Sequence, residues 1–126
     1  MAGEQILVVE DNEKSMKLFR DVLVATGYRT LEATTGGQAV ELAAEHAPDL
    51  VLMDIQLPDI DGVEALRRLR ADERTASISV LALTAQAMYG DYERFLAAGF
   101  DGYISKPVNV VEFVGTVRRH CDGRGR

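Results

Sequence analysis

The chain has 126 residues, of which 47% are hydrophobic and 27% charged, with one cysteine and a formal net charge of -6. That length supports one domain with a core that needs no disulfide or metal staple, and a lone cysteine excludes an internal disulfide. The acidic balance repels a phosphate backbone, so the expected partners are proteins or small ligands and not nucleic acid. No apolar run approaches bilayer-spanning length, and "MAGEQILVVE" lacks the basic flank and long apolar stretch of a secretory signal. The expected address is the cytoplasm.

In chain order, the first apolar run is "QILVV" at 5–9, a candidate strand that ends on Glu10 and Asp11. A helical pattern at 15–26 follows, closed by Gly27, and then a second short strand, "RTLEA", at 29–33. "ATTGGQA" leads into a helix at 37–46 closed by Pro48; it lacks the spacing of either common phosphate-binding glycine loop, so Gly36 and Gly37 are expected to start a helix. The third run, "LVLM" at 50–53, has no polar alternation and reads as a strand buried on both faces, with Asp54 left at its end. Pro58, Asp61 and Gly62 turn the chain into a helix at 63–71. "ISVLALT" at 78–84 ends on Thr84, a helix at 91–98 is closed by Gly99, "GYIS" at 102–105 is followed by Lys106 and Pro107, and a last helix covers 109–120. Strand and helix alternate five times. That alternation predicts an α/β fold: a doubly wound five-stranded parallel sheet in the order 2-1-3-4-5, with helices on both faces. One domain is expected over 1–121, with a short polar tail, "DGRGR", at 122–126.

In such a sheet the site lies beyond the carboxyl ends of the strands, where strand order reverses. There the first strand delivers Glu10 and Asp11 and the third delivers Asp54. Three carboxylates that close repel one another unless a cation neutralises them, and hard oxygen ligands suit magnesium. Glu10 and Asp11 alone would read as helix-capping acids. Thr84 and Lys106, at the ends of the fourth and fifth strands, change the balance. A nucleophilic carboxylate, a metal site, a hydroxyl and a lysine point charge are the parts that phosphoryl transfer needs. His46 and His120 match no metal spacing.

The segments "VVEDNE", "LVLMDIQLPDIDG", "LALTA" and "YISKP", in this order, closely resemble the receiver domain of two-component response regulators, over residues 5 to about 120. The resemblance implies a flavodoxin-like, CheY-like fold. It implies that Asp54 accepts phosphate and that Glu10, Asp11, Asp54 and the carbonyl of Gln56 hold Mg2+, with Mn2+ as a substitute. It makes Thr84 the switch hydroxyl, Tyr103 the aromatic switch and Lys106 the phosphate-pairing lysine, with a cis peptide between Lys106 and Pro107. The wording "VEDNEKSMKLFRDVLVATGY" is most similar to the stand-alone DivK-like branch, which the chain's length also favours. A receiver cut from a hybrid histidine kinase shares some of that wording.

The implied donor is a histidine kinase or a histidine phosphotransfer protein. The implied reader is a protein that meets the fourth helix, fifth strand and fifth helix, near Met88, Tyr89 and Tyr92. Gln56 and Gln86 stand at positions that tune phosphate loss in receivers. Three other functions compete. An aspartyl phosphatase acting on small substrates resembles a pattern with a second aspartate at the place of Gln56. A flavin module would meet repulsion between the flavin phosphate and the acidic crevice, and a phosphate-independent pseudo-receiver would not need Asp54, Thr84 and Lys106 together. Phe19, Phe95 and Phe113 are expected in the core, and Cys121 as a partly buried side chain.

Overall fold

The computed structural model describes residues 3–85 and 91–122, with the backbone alone for 91, 92 and 122. Five strands, β1 (Gln5–Val9), β2 (Arg29–Ala33), β3 (Leu50–Asp54), β4 (Ser79–Thr84) and β5 (Gly102–Ser105), form one parallel sheet in the order β2-β1-β3-β4-β5. The connecting helices are α1 (Glu13–Thr26), α2 (Gly36–His46), α3 (Gly62–Ala71), α4 (Asp91–Ala98) and α5 (Val110–Asp122).

Period-2 geometry sends alternate strand residues to opposite faces, and both faces here are apolar. Leu7, Val9, Val51, Met53, Val80 and Ala82 join Leu66, Leu69 and Phe95 in one core. Ile6, Val8, Leu50, Leu52, Leu81 and Leu83 join Phe19, Phe113 and Val117 in the other. Phe19 of α1 stacks on Phe113 of α5, with centroids 5.4 Å apart, which locks those two helices side by side. β3 is buried along its whole length, as an unbroken apolar run requires, whereas β2 at the sheet edge is half-exposed.

Four of the five helix starts differ from the expected ones by one or two residues, and the caps explain why. Asn12 accepts from the Ser15 amide, so α1 starts at Glu13 and not Ser15. Thr35 caps α2 through the Gln38 amide, which places Gly36 inside the helix. Asn109, expected within the last helix, accepts from the Glu112 amide and stands outside it. α5 continues to Asp122, and Cys121, expected to be partly buried, is only 3% exposed. Gln86, Met88 and Tyr89, the side chain of Tyr92 and the tail from 123 on lie outside the described residues.

Candidate functional site at the carboxyl end of the sheet

β1 and β3 are neighbours, yet their following helices lie on opposite faces, so the chain parts between them and leaves a crevice. A cavity of about 360 Å³ opens there, lined among others by Glu10, Asp11, Asp54, Gln56, Thr84 and Lys106. The residues singled out from the sequence, Tyr103 and Pro107 excepted, therefore meet in one place.

Glu10 and Asp54 are 1% and 6% exposed, so both carboxylates have left bulk water. Lys106 joins them: its Nζ donates to Glu10 Oε1 at 2.6 Å and to Asp54 Oδ2 at 2.9 Å. The other oxygens are also held, Glu10 Oε2 by the Asn12 amide at 3.1 Å and Asp54 Oδ1 by the Gln56 amide at 2.9 Å. Burial pushes the Glu10 carboxyl above its ordinary range, against the lowering pull of Lys106, while neighbouring Asp54 adds to the rise. Burial alone would lower the Lys106 ammonium, but its bonds to Glu10 and Asp54 hold it above its ordinary value. The ammonium is therefore a fixed positive charge between two acids.

Asp11 is exposed and completes the set, since Glu10, Asp11 and Asp54 each offer an oxygen within 4.8 Å of the others. It is the one group of three or more potential metal-ligating side chains found this close together among the described residues. Three carboxylates against one lysine leave an uncompensated negative charge, and an all-oxygen donor set of this kind fits a small hard divalent cation. The residues present thus fit magnesium.

Backbone construction makes the arrangement rigid. Ile55 N donates to Leu83 O and Gly62 N to Ile55 O, folding the loop after β3 back against its own start. A Cβ at Gly62 would lie 2.5 Å from Asp54 O, so only glycine lets α3 begin this close to the end of β3. On β5, Lys106 N donates to Thr84 O, which ties the lysine to the end of β4, and the Lys106–Pro107 peptide is cis. Thr84 is 5% exposed. Tyr103, two residues before the Thr84 partner Ser105, is half-buried and packs 6.1 Å from the Phe95 ring of α4. The Thr84 position and the α4 contact are thus one strand apart.

Asp59 is the contributor that the sequence reading passed over. Both its oxygens accept from α2, Oδ1 from Gly36 N and Oδ2 from Gly37 N, each at 2.8 Å. Those bonds hold its carboxyl down at about 2. A turn acid beside a proline gives no sign that it will cap a helix more than twenty residues earlier.

The model of the response regulator receiver domain matches residues 6–118. The polar-differentiation response regulator DivK of Brucella ovis is 48% identical over 117 residues, covering 93% of this chain and 95% of that protein. The receiver domain of a Pseudomonas aeruginosa sensor histidine kinase, whose structure has a magnesium ion coordinated in the active-site cleft, superposes with a TM-score of 0.89 at 38% identity, over 97% of this chain and all of that one. The chemotaxis protein CheY4 of Vibrio cholerae, at 24% identity and a TM-score of 0.87 over 94% of this chain and 98% of its own, shares the fold. With the expected strand order and four motifs at the strand ends, the chain belongs to the response regulator receiver family.

Proposed function

We propose that this receiver, taken as residues 1–121, is a cytoplasmic phospho-acceptor of a two-component relay, and that Asp54 takes the phosphoryl group. The donor is a phosphohistidine on a histidine kinase or a histidine phosphotransfer protein. An Asp54 oxygen forms the new P–O bond while the P–N bond breaks, and the imidazole nitrogen keeps the electron pair. Water later attacks phosphorus and releases inorganic phosphate and the free carboxylate. The chain thereby assists its own loading and unloading and needs no small-molecule substrate.

The observation that carries this reading is the shared Lys106, held by Glu10 and Asp54 at the mouth of a crevice that Asp11 also faces. Glu10, Asp11, Asp54 and the Gln56 carbonyl would hold magnesium, or manganese in its place, which neutralises phosphoryl oxygens when bound. Lys106 stays charged and pairs with the phosphoryl group once Asp54 is modified. Thr84 offers its hydroxyl to the same group. A Thr84 side chain drawn toward phosphate leaves room for the Tyr103 ring, which biases two packings of the surface formed by α4, β5 and α5. The reader of that surface is a protein. No described helix is long and apolar enough to cross a membrane.

The test is incubation with magnesium and a small phosphodonor followed by intact mass measurement. Wild type should gain one phosphoryl group, and Asp54→Asn should gain none while keeping its circular dichroism. Uptake by Asp54→Asn at the wild-type rate would overturn the assignment. For output, Thr84→Ala should accept phosphate but lose most of the gain in partner affinity that a phosphoryl mimic gives wild type. That gain should correspond to a coupling of about 1–3 kcal/mol. An identical gain in both proteins would refute the relay through Thr84.

A further inference from the structure

The glycine pair of "ATTGGQA" takes no part in the chemistry above, yet it receives the loop that follows Asp54. α2 has no acidic residue in its first turn, and its first amides need acceptors. Thr35 satisfies Gln38 N, at 3.1 Å, and Asp59 supplies both the charge and the acceptors for Gly36 N and Gly37 N. Ile60 then lies against the bare Gly36 backbone: a Cβ there would stand 2.5 Å from Ile60 Cγ1, and one at Gly37 would stand 3.2 Å from Asp59 Oδ2. Polar and apolar contacts thus act on adjacent loop residues from the same helix end.

This matters because the loop between β3 and α3 carries the Gln56 carbonyl. Its start is held by Asp54 and Leu83 and its end by the Gly62 bond to Ile55, while Asp59 and Ile60 fasten its middle to a different helix. We propose that Gly36, Gly37, Asp59 and Ile60 form a clasp that fixes the loop of residues 55–61 and so presets the Gln56 carbonyl for the divalent cation. Asp59 is in this sense a positioning residue, exposed and outside the ligand set. The clasp rests on the metal reading given above for its consequence, but not for its existence.

The experiment uses the full chain and two readouts: magnesium affinity by calorimetry and amide hydrogen exchange across residues 55–60. Asp59→Ala should weaken magnesium binding about tenfold, the lower end of what outer partners of metal ligands contribute. It should also speed exchange in the loop. Asp59→Asn should fall between, because its amide oxygen can accept only on one side. Thr35→Ala removes another cap of α2 without touching the loop; it should lower Tm and leave magnesium affinity unchanged. Equal weakening in Thr35→Ala would show a general effect of α2 stability and overturn the clasp. So would unchanged affinity in Asp59→Ala where Asp11→Ala loses binding. If wild type binds no magnesium, the metal reading itself fails, and exchange decides: unchanged exchange in Asp59→Ala removes the clasp as well.

Discussion

The two ends of the sheet both carry charged side chains, and they use them differently. At the amino end, Arg70 of α3 donates to the carbonyls of Ala76, Ile78 and Gly99 and to Asp101 Oδ2, which also accepts from Val80 N. Asp49 likewise accepts from Gln5 N. There the charges mainly fasten backbone, and the arginine and Asp101 balance. At the carboxyl end Glu10, Asp11 and Asp54 share Lys106, so charge is left over. A polar cluster whose side chains mainly hold backbone groups fastens a fold, whereas a buried one with surplus charge of one sign is built for something that brings the opposite charge. Location alone would not distinguish them.

The sharpest way to break this contrast is to remove one acid from the carboxyl-end cluster and one from a surface ion pair and measure magnesium affinity. Asp11→Ala should weaken binding by tenfold or more, while Asp72→Ala, whose carboxylate is occupied by Arg74 at 2.7 Å on the surface, should leave it unchanged. Equal affinities in the two variants would show that the acids at the carboxyl end are no more a cation site than a surface acid is. Next in size is Gly62→Ala, where the added methyl meets the Asp54 carbonyl at 2.5 Å. A stability loss of about 1–3 kcal/mol is expected for such overpacking, read from urea unfolding, together with slower phosphoryl uptake.

Arg70→Ala sharpens the contrast from the other side. It leaves the Ile78 and Gly99 carbonyls and Asp101 without their shared donor, and should cost about 1–3 kcal/mol in urea unfolding. Phosphoryl uptake per folded molecule should stay within twofold of wild type. A large loss of uptake would mean that the amino end also serves the chemistry.

The smallest effect expected is a pH dependence at Asp59. Its bonds to the Gly37 and Gly36 amides hold the folded carboxyl at about 2 against an ordinary 3.8, so its contribution is fully present above the unfolded value. That contribution is lost as pH falls through about 2. The gap in urea midpoint between wild type and Asp59→Asn should therefore be constant near neutrality and close as the solution is acidified below 3.8. A gap that widens on acidification would show that the carboxylate does not stabilise the folded state.

The strands and the acidic mouth are legible in local pattern. Short unbroken apolar runs bounded by turn signals, such as Leu50 to Met53, read as strands covered on both faces, and a carboxylate directly after such a run lies at a strand end. Alternation and right-handed crossovers imply a doubly wound parallel sheet, and five such strands suggest the common order 2-1-3-4-5. Residues at the ends of neighbouring parallel strands must then lie close together, and so Glu10, Asp54, Thr84 and Lys106 could be grouped before any coordinates. Tertiary structure alone decided who shares a proton donor with whom. Lys106 reaches Glu10 and Asp54 across 96 and 52 residues of chain, and Asp59 caps a helix that begins 23 residues before it. Local pattern records a residue's own turn or helix; it does not record which distant amide or carboxylate the fold will bring within 3 Å. Asp59 and Arg70 therefore read as an ordinary turn acid and an ordinary helix cation, because their partners are fixed by packing and not by spacing.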